Sequence, residues 1–309
     1  MKILVAVSGG VDSVVLLDLL ARGKLANFLK DENLQSKILN LKLLVAHFNH
    51  KIHREADRQE KFVEQLAAKY GLEFFGSKAK KKLKSEAEAR DARFEFLEKI
   101  CERENCDHIA LAHHADDQIE TIFLNLIRGS GLAGLAGMTE MAGCKWRPFL
   151  GIPKSKIADF AKKQKLKFVV DPTNSDEKFA RNFLRRDILP RVEKLNPQYR
   201  MAILRFAKIG RENLELTNLL AAEWLRRFAT KRAIELTEFF NLPDVLKKAV
   251  LCQIYLAEVG NLQKIEEKHF AEILTLAGNP AGGKSKKFGA LEFRTTKQGG
   301  ARVLVWGIG

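Results

Sequence analysis

Over the first half of the chain, short apolar runs alternate with longer stretches in which apolar and charged positions recur at helical spacing. The runs are Ile3-Leu4-Val5-Ala6-Val7 and residues 41–48, 72–75 and 109–112. Runs of this length suit strands buried on both faces, and the periodic segments between them suit crossover helices. The pattern predicts βαβ units and a parallel sheet. One helix start is marked by chemistry as well as by period. Ser85-Glu86-Ala87-Glu88, after the basic run Lys80-Lys81-Lys82-Leu83-Lys84, has the spacing of a capping box. From about Asn196 the strand-like runs give way to helical periodicity through Trp224, 246–259 and 269–277. Residues 287–294 and 301–306 then read as two strands joined by Lys297-Gln298-Gly299-Gly300. The predicted fold class is α/β: a parallel-sheet domain over 1–210 and a mainly helical domain over 211–309 that ends in a small β-hairpin. A length of 309 residues agrees with two domains, being too long for one ordinary core.

Composition narrows the partners. Lys and Arg outnumber Asp and Glu by 53 to 38, a net charge of +15. That excess points to a polyanion, with a solubilising surface as the alternative. Four cysteines, Cys101, Cys106, Cys144 and Cys252, show no CxxC pair and no disulfide density, which favours a reducing compartment. The run at residues 3–7 is shorter than a signal-peptide core, and no stretch reaches the roughly 18 apolar residues of a membrane span. A cytoplasmic protein with no membrane partner is expected.

The strongest local motif is Ser8-Gly9-Gly10-Val11-Asp12-Ser13, between an apolar strand and the helical Val14-Val15-Leu16-Leu17. Two glycines permit a tight turn, two serines supply hydroxyls, and the helix amino terminus adds partial positive charge. Phosphate is the natural guest. Two other glycine patterns fail on context. Gly278 to Ser285 has Walker A spacing but follows a helix and runs into a strand, and Gly129-Ser130-Gly131-Leu132-Ala133-Gly134 follows a helix where a dinucleotide site requires a strand. His47, His50 and His53 have no spacing that suits zinc, so no structural metal is predicted.

Further blocks accompany the loop in order. They are Ala46-His47-Phe48-Asn49-His50, Ala89-Arg90-Asp91-Ala92-Arg93-Phe94, the segment 112–121 opening Ala112-His113-His114, the segment 128–135, Arg147-Pro148-Phe149-Leu150, and 171–185. Together they resemble the tRNA(Ile)-lysidine synthetases, within the PP-loop ATP pyrophosphatases that carry SGGxDS. The resemblance implies an adenine-nucleotide-hydrolase-like catalytic domain over 1–210 and a tRNA-binding helical domain over 211–309, with no room for the further domain of larger members. It implies a ligase that uses ATP and Mg²⁺. The wobble cytidine of the CAU-anticodon isoleucine tRNA would attack the α-phosphate of ATP, releasing pyrophosphate, and free L-lysine would then displace AMP from C2. A second copy of the chain is a further candidate partner. The chain departs from the family pattern at Asn49-His50-Lys51-Ile52-His53, where Arg54 falls one place late, and at Phe94, where the family usually shows Tyr.

Candidate residues follow from both arguments. Ser8, Gly9, Gly10, Val11, Asp12 and Ser13 would bind ATP, with Asp12 a candidate Mg²⁺ ligand. Arg90 and Arg93 would join them at the α-phosphate, or else answer Glu86 and Glu95 on a solvated helix face. His113 and His114 end a strand at the edge where open sheets bind ligands, and Asp117 and Glu120 share a helical face beyond them, as do Asp116 and Glu120. These are catalytic or lysine-binding candidates; acids that suit a helix dipole are the alternative. Arg181, Asn182, Arg185 and Arg186 would contact tRNA phosphates, or form an ordinary basic surface. A tRNA thiolase on the same loop is the rival enzyme, and a non-catalytic RNA-binding module the rival of another class.

Overall fold

A computed structural model describes residues 1–37, 40–50, 56–79, 85–169, 180–260, 265–279 and 283–308. His53, Arg54, the basic run 80–84 and residues 171–179 of the basic block therefore lie outside the described residues. The chain divides into two compact units, Met1–Lys208 and Ile209–Gly309.

The first unit opens with β1 (Lys2–Ala6), α1 (Val11–Ala21), α2 (Leu25–Leu29), α3 (Glu32–Lys37), β2 (Lys42–Asn49), α4 (Ala56–Lys69) and β3 (Glu73–Lys78). It continues through α5 (Glu86–Arg103), β4 (His108–Ala110), α6 (Ala115–Ile127), α7 (Leu132–Leu135), β5 (Met141–Ala142), β6 (Lys145–Trp146) and α8 (Lys154–Lys163). Then come α9 (Ala180–Phe183), a π-helical turn (Leu184–Ile188), α10 (Leu189–Leu195) and the start of α11 (Tyr199–Phe228). As its spacing predicts, Ser85 caps α5, its Oγ accepting from the Glu88 amide at 3.1 Å.

The six strands run in the order β3-β2-β1-β4-β6-β5, parallel except for β5. The central strands β1, β2 and β4 are buried on both faces, which is why they read as unbroken apolar runs. Ile3, Val5, Leu43, Val45 and Ala110 enter the core shared with α1 and α8, whereas Leu4, Leu44, Ile109 and Leu111 enter the core shared with α5. β1 connects to β2 on one side and pairs with β4 on the other. The chain order reverses there, and the crevice at the carboxyl ends of β1 and β4 is where this architecture receives ligands. β5 and β6 escape prediction because two-residue strands carry no periodicity.

The second unit holds the rest of α11, then β7 (Ala229–Thr230), β8 (Ala233–Glu235), α12 (Leu236–Phe240), α13 (Asp244–Val259), α14 (Glu267–Gly278), β9 (Ser285–Phe288), β10 (Leu291–Gln298) and β11 (Ala301–Ile308). The terminal hairpin is β10–β11, closed by Gly299 and Gly300 at φ 58° and 87°. Such left-handed pairs match the twist of a two-residue turn. The hairpin is part of a five-stranded antiparallel sheet ordered β7-β8-β11-β10-β9. The expected strand 287–294 is broken at Gly289, φ 62°, where the Tyr255 hydroxyl would collide with any Cβ. Phe239, Phe288 and Phe293 are fully buried in its core. The look-alike phosphate motif runs from the last residue of α14 to the first of β9, helix before and strand after, and Gly129 to Gly134 runs from just beyond α6 into α7.

Candidate functional site

Ser8, Gly9 and Gly10 make the turn from β1 into α1. Gly9 sits at φ 90°, while its nearest prospective Cβ neighbours, Val63 and Phe62, stand at 3.5 and 3.7 Å. The backbone angle, not crowding, calls for glycine. The serines brace the turn: the Ser8 amide donates to Ser13 Oγ at 3.1 Å, the two hydroxyls lie 3.1 Å apart, and Ser13 Oγ donates to the Gly10 carbonyl at 3.0 Å. No side chain caps α1. Its first amides thus remain available to an anion.

Asp12 stands in the first turn of α1, with Oδ2 at 3.7 Å from His114 Nε2 and 3.8 Å from Lys154 Nζ. Burial pushes its carboxyl up, but His114, Lys154 and Arg185 outweigh that and hold it below the ordinary value. Its other oxygen, Oδ1, is buried with no partner. A buried anionic oxygen left open beside a turn suited to phosphate fits a magnesium ligand. Mg²⁺ commonly takes one or two carboxylates and completes its shell from substrate phosphates and water. Among the described residues no group of three or more His, Cys, Asp or Glu could hold a metal ion.

His114 and Asp117 lock the start of α6. His114 Nδ1 accepts from the Asp117 amide at 3.3 Å, and Asp117 Oδ2 accepts from the His114 amide at 3.0 Å. That assigns the imidazole proton to Nε2, which faces Asp12. Burial pulls the His114 pKa down, yet Asp12 and Asp117 more than offset it, leaving the value raised.

Glu120, one turn further along α6, is 1 % exposed and pairs with Arg185 through both carboxylate oxygens, at 2.7 and 3.0 Å. Burial pushes the Glu120 carboxyl up despite Arg185. Arg185 lies on the π-helical turn between α9 and α10, and it also approaches Asp117 Oδ1 at 3.8 Å. π turns of this kind recur at functional sites. Together Asp116, Glu120, Lys154, Arg185 and Arg200 line a cleft of ≈ 190 Å³. Asp116 also accepts from the Lys154 amide at 2.9 Å and meets Arg200 at 3.5 Å.

His113 keeps different company. It is pushed well below the ordinary histidine value, first by burial and then by Arg93, Arg147, Arg90 and Arg181. Arg90 and Arg93 lie over the Phe94 ring at 5.3 and 5.1 Å, and Lys145 over the same ring at 4.7 Å. Arg181 donates to Thr121 Oγ1 at 3.4 Å; Asn182 is buried and Arg186 exposed.

The structure thus brings Asp12, His114, Asp117, Glu120 and Arg185 into one region and sets His113, Arg90, Arg93 and Arg181 together beside it. Lys154 and Arg200 escape the sequence reading, and Arg147 enters it only within the block 147–150, with no role of its own. For Lys154 a signal exists, since a cation in the first turn of α8 opposes the helix dipole and needs another reason to be there. The cysteines, dispersed in sequence, partly converge: Cys101 Sγ donates to the Cys106 carbonyl at 3.3 Å, and Cys144 packs against the same core. Burial, with Cys144 and Cys106 beside it, pushes the Cys101 thiol up to about 12. Such a thiol is a poor nucleophile and a poor cluster ligand.

Comparison with known proteins gives the family. The family described as the PP-loop domain matches residues 1–192. A tRNA(Ile)-lysidine synthase of Francisella tularensis is 31 % identical over 288 residues, covering 91 % of this chain and 68 % of the relative. A bifunctional protein TilS/HprT of Listeria monocytogenes is 34 % identical over 247 residues, covering 76 % of this chain and 36 % of the relative. Among solved structures, the U34-tRNA thiolase NcsA of Methanococcus maripaludis, which contains a [4Fe-4S] cluster, shares the fold. It aligns with a TM-score of 0.54 at 21 % identity, over 68 % of this chain and 72 % of that one. The chain belongs to the tRNA(Ile)-lysidine synthase family of PP-loop proteins.

Proposed function

We propose that this protein is a cytoplasmic tRNA(Ile)-lysidine synthetase, which uses ATP to join free lysine to C2 of the wobble cytidine of the CAU-anticodon isoleucine tRNA. The observation that carries the reading is the junction of two sites. The Ser8–Ser13 turn, which suits phosphates, meets through Asp12, His114 and Lys154 a cleft with both signs of charge. Free lysine carries two ammonium groups and a carboxylate. Asp116 and Glu120 suit the former, Arg185 and Arg200 the latter.

In this reading the α1 amino terminus and the loop hold the β- and γ-phosphates, and Arg90 and Arg93 offset charge at the α-phosphate. Magnesium held by Asp12 would neutralise charge as pyrophosphate leaves. The cytidine C2 oxygen attacks the α-phosphorus and the bond to pyrophosphate breaks. A carbonyl oxygen is a poor leaving group; as an adenylate it is a good one. An amine of lysine then adds at C2, the C2–oxygen bond breaks, and AMP departs with that oxygen. Arg181, Asn182 and Arg186 would position the RNA.

The test is mass spectrometry of the tRNA after incubation with ATP and lysine. A lysine adduct on one cytidine, with AMP and pyrophosphate released, is the expected result; absence of AMP would sink the reading. Thiolation is the second reading, prompted by the shared fold, and the raised Cys101 thiol argues against it. Replacing Cys101, Cys106, Cys144 and Cys252 with serine would abolish it, and would leave lysine transfer intact.

A further inference from the structure

His47, near the end of β2, is 4 % exposed and follows Leu43 and Val45 on the face of the strand turned to α1. An imidazole closing an apolar row is costly to bury unless it is hydrogen-bonded. Its Nδ1 lies 2.8 Å from the Val7 carbonyl. A carbonyl only accepts, so Nδ1 carries the proton and donates. Burial lowers the pKa of the ring more than the Val7 carbonyl and Glu60 raise it, and the ring is neutral in this role. Val7 is where β1 gives way to the turn. Its amide still pairs with the Ala46 carbonyl at 2.8 Å, while its own carbonyl is taken by the His47 side chain. The peptide is trans, so the Ser8 amide points away from that carbonyl. It donates to Ser13 Oγ at 3.1 Å, and Ser13 Oγ donates to the Gly10 carbonyl at 3.0 Å. An unbroken row of hydrogen bonds therefore runs from the imidazole, through one peptide group, to a hydroxyl in the first turn of α1. The Gly9 carbonyl is tied back separately, accepting from the Val169 amide at 2.9 Å.

We propose that His47 is a positioning residue for the Ser8–Ser13 turn: by fixing the plane of the Val7–Ser8 peptide it sets the Ser13 hydroxyl, and with it the form of the turn that receives phosphate. The inference rests on the reading that this turn holds the β- and γ-phosphates of ATP. His47 acts through the peptide and touches no ligand. Without its donor the Val7 carbonyl becomes a buried acceptor left open. Rotation of the peptide toward water would relieve that cost and would draw the Ser8 amide off Ser13. Groups in such a row also polarise one another, so loss at one end weakens the other.

The experiment is calorimetric titration of the whole chain with ATP and with AMP, repeated for His47→Leu, His47→Asn and Ser13→Ala. Leu keeps the apolar contacts and has no donor, whereas the Asn amide nitrogen stands as far along the side chain as Nδ1. His47→Leu should bind ATP about tenfold more weakly, with the affinity for AMP, which lacks the β- and γ-phosphates, unchanged. His47→Asn should recover most of that loss. Parental ATP affinity in His47→Leu overturns the proposal. So does a loss shared equally by AMP, or one that Asn does not recover, since either marks a general packing defect. Ser13→Ala separates the proposal from the reading beneath it. If Ser13→Ala weakens ATP selectively and His47→Leu does not, the role of His47 alone fails; if neither changes ATP affinity, the turn is not the phosphate site and both fail. Should His47→Leu not fold, His47→Gln, whose nitrogen lies one carbon further out, is set against His47→Asn in the same titrations, with the same selective loss expected of Gln.

Discussion

Glu120 and Arg185, which stand 65 residues apart in sequence, meet through two hydrogen bonds of 2.7 and 3.0 Å. Breaking a fully buried pair costs about 3–5 kcal/mol, but Arg185 is 36 % exposed and water screens the loss. Glu120→Gln should therefore lower stability by roughly 1–2 kcal/mol. It should raise the KM for lysine about tenfold, since the cleft loses the carboxylate that draws the ammonium. Urea unfolding and lysine titration check the two effects separately.

Asp12→Asn removes the open carboxylate oxygen while keeping the shape of the α1 first turn. Pyrophosphate release should fall at least about a hundredfold, with tRNA binding retained. A pyrophosphate assay at saturating tRNA decides, and unchanged turnover would show that the loop has another role.

Gly9→Ala places a Cβ at φ 90°, a strain of about 1–2 kcal/mol for an L-residue. The space around Gly9 is open enough for a methyl group, so the cost should fall on loop conformation. The expected outcome is weaker ATP binding in a folded protein, measured by calorimetry alongside circular dichroism.

Lys284→Ala tests the discarded phosphate motif. Lys284 is exposed between α14 and β9, so a helix precedes it and a strand follows. ATP consumption should be unchanged; a loss comparable to that of Asp12→Asn would restore the motif.

The paired histidines predict opposite pH responses. The folded pKa of His113 lies well below 6.5, so as pH falls through about 6.5 the unfolded chain takes up a proton that the native chain refuses. Its contribution to stability is present above that pH and lost below it. The raised pKa of His114 acts the other way, with a contribution complete below about 6.5 and lost as pH rises through the folded value. His113→Gln should flatten the loss of stability between about pH 6.5 and 5, as read from urea midpoints.

The parts of this site that are local in sequence are legible there. Ser8 to Ser13 shows its strand, its turn glycines and its helix within a few residues, and the acids after His114 announce a helix start. The Glu120–Arg185 pair is not legible, because it depends on a π-helical turn that no periodicity marks. Reading Arg185 by its neighbours suggests a basic surface helix; its fold partner makes it half of an ion pair inside a cleft. Arg147 is visible as part of the block 147–150, but its burial is not, since β6 spans only Lys145–Trp146 and gives no pattern from which to judge it. The break of 287–294 at Gly289 follows from Tyr255, a residue of α13 that the strand pattern does not contain.

The alternation of β4 reaches beyond its last paired residue. Ala112 packs toward the α1 side, His113 turns to the guanidinium groups and His114 back to Asp12. One peptide bond therefore separates a side chain among guanidinium groups from one beside a cleft with both signs of charge. A single inserted or deleted residue before His113 would exchange the two side chains, setting a helix-capping imidazole among arginines and leaving α6 uncapped. Substitutions at either histidine change one environment, whereas a one-residue slip would change both at once. This short junction should accordingly tolerate changes of residue type far better than changes of length.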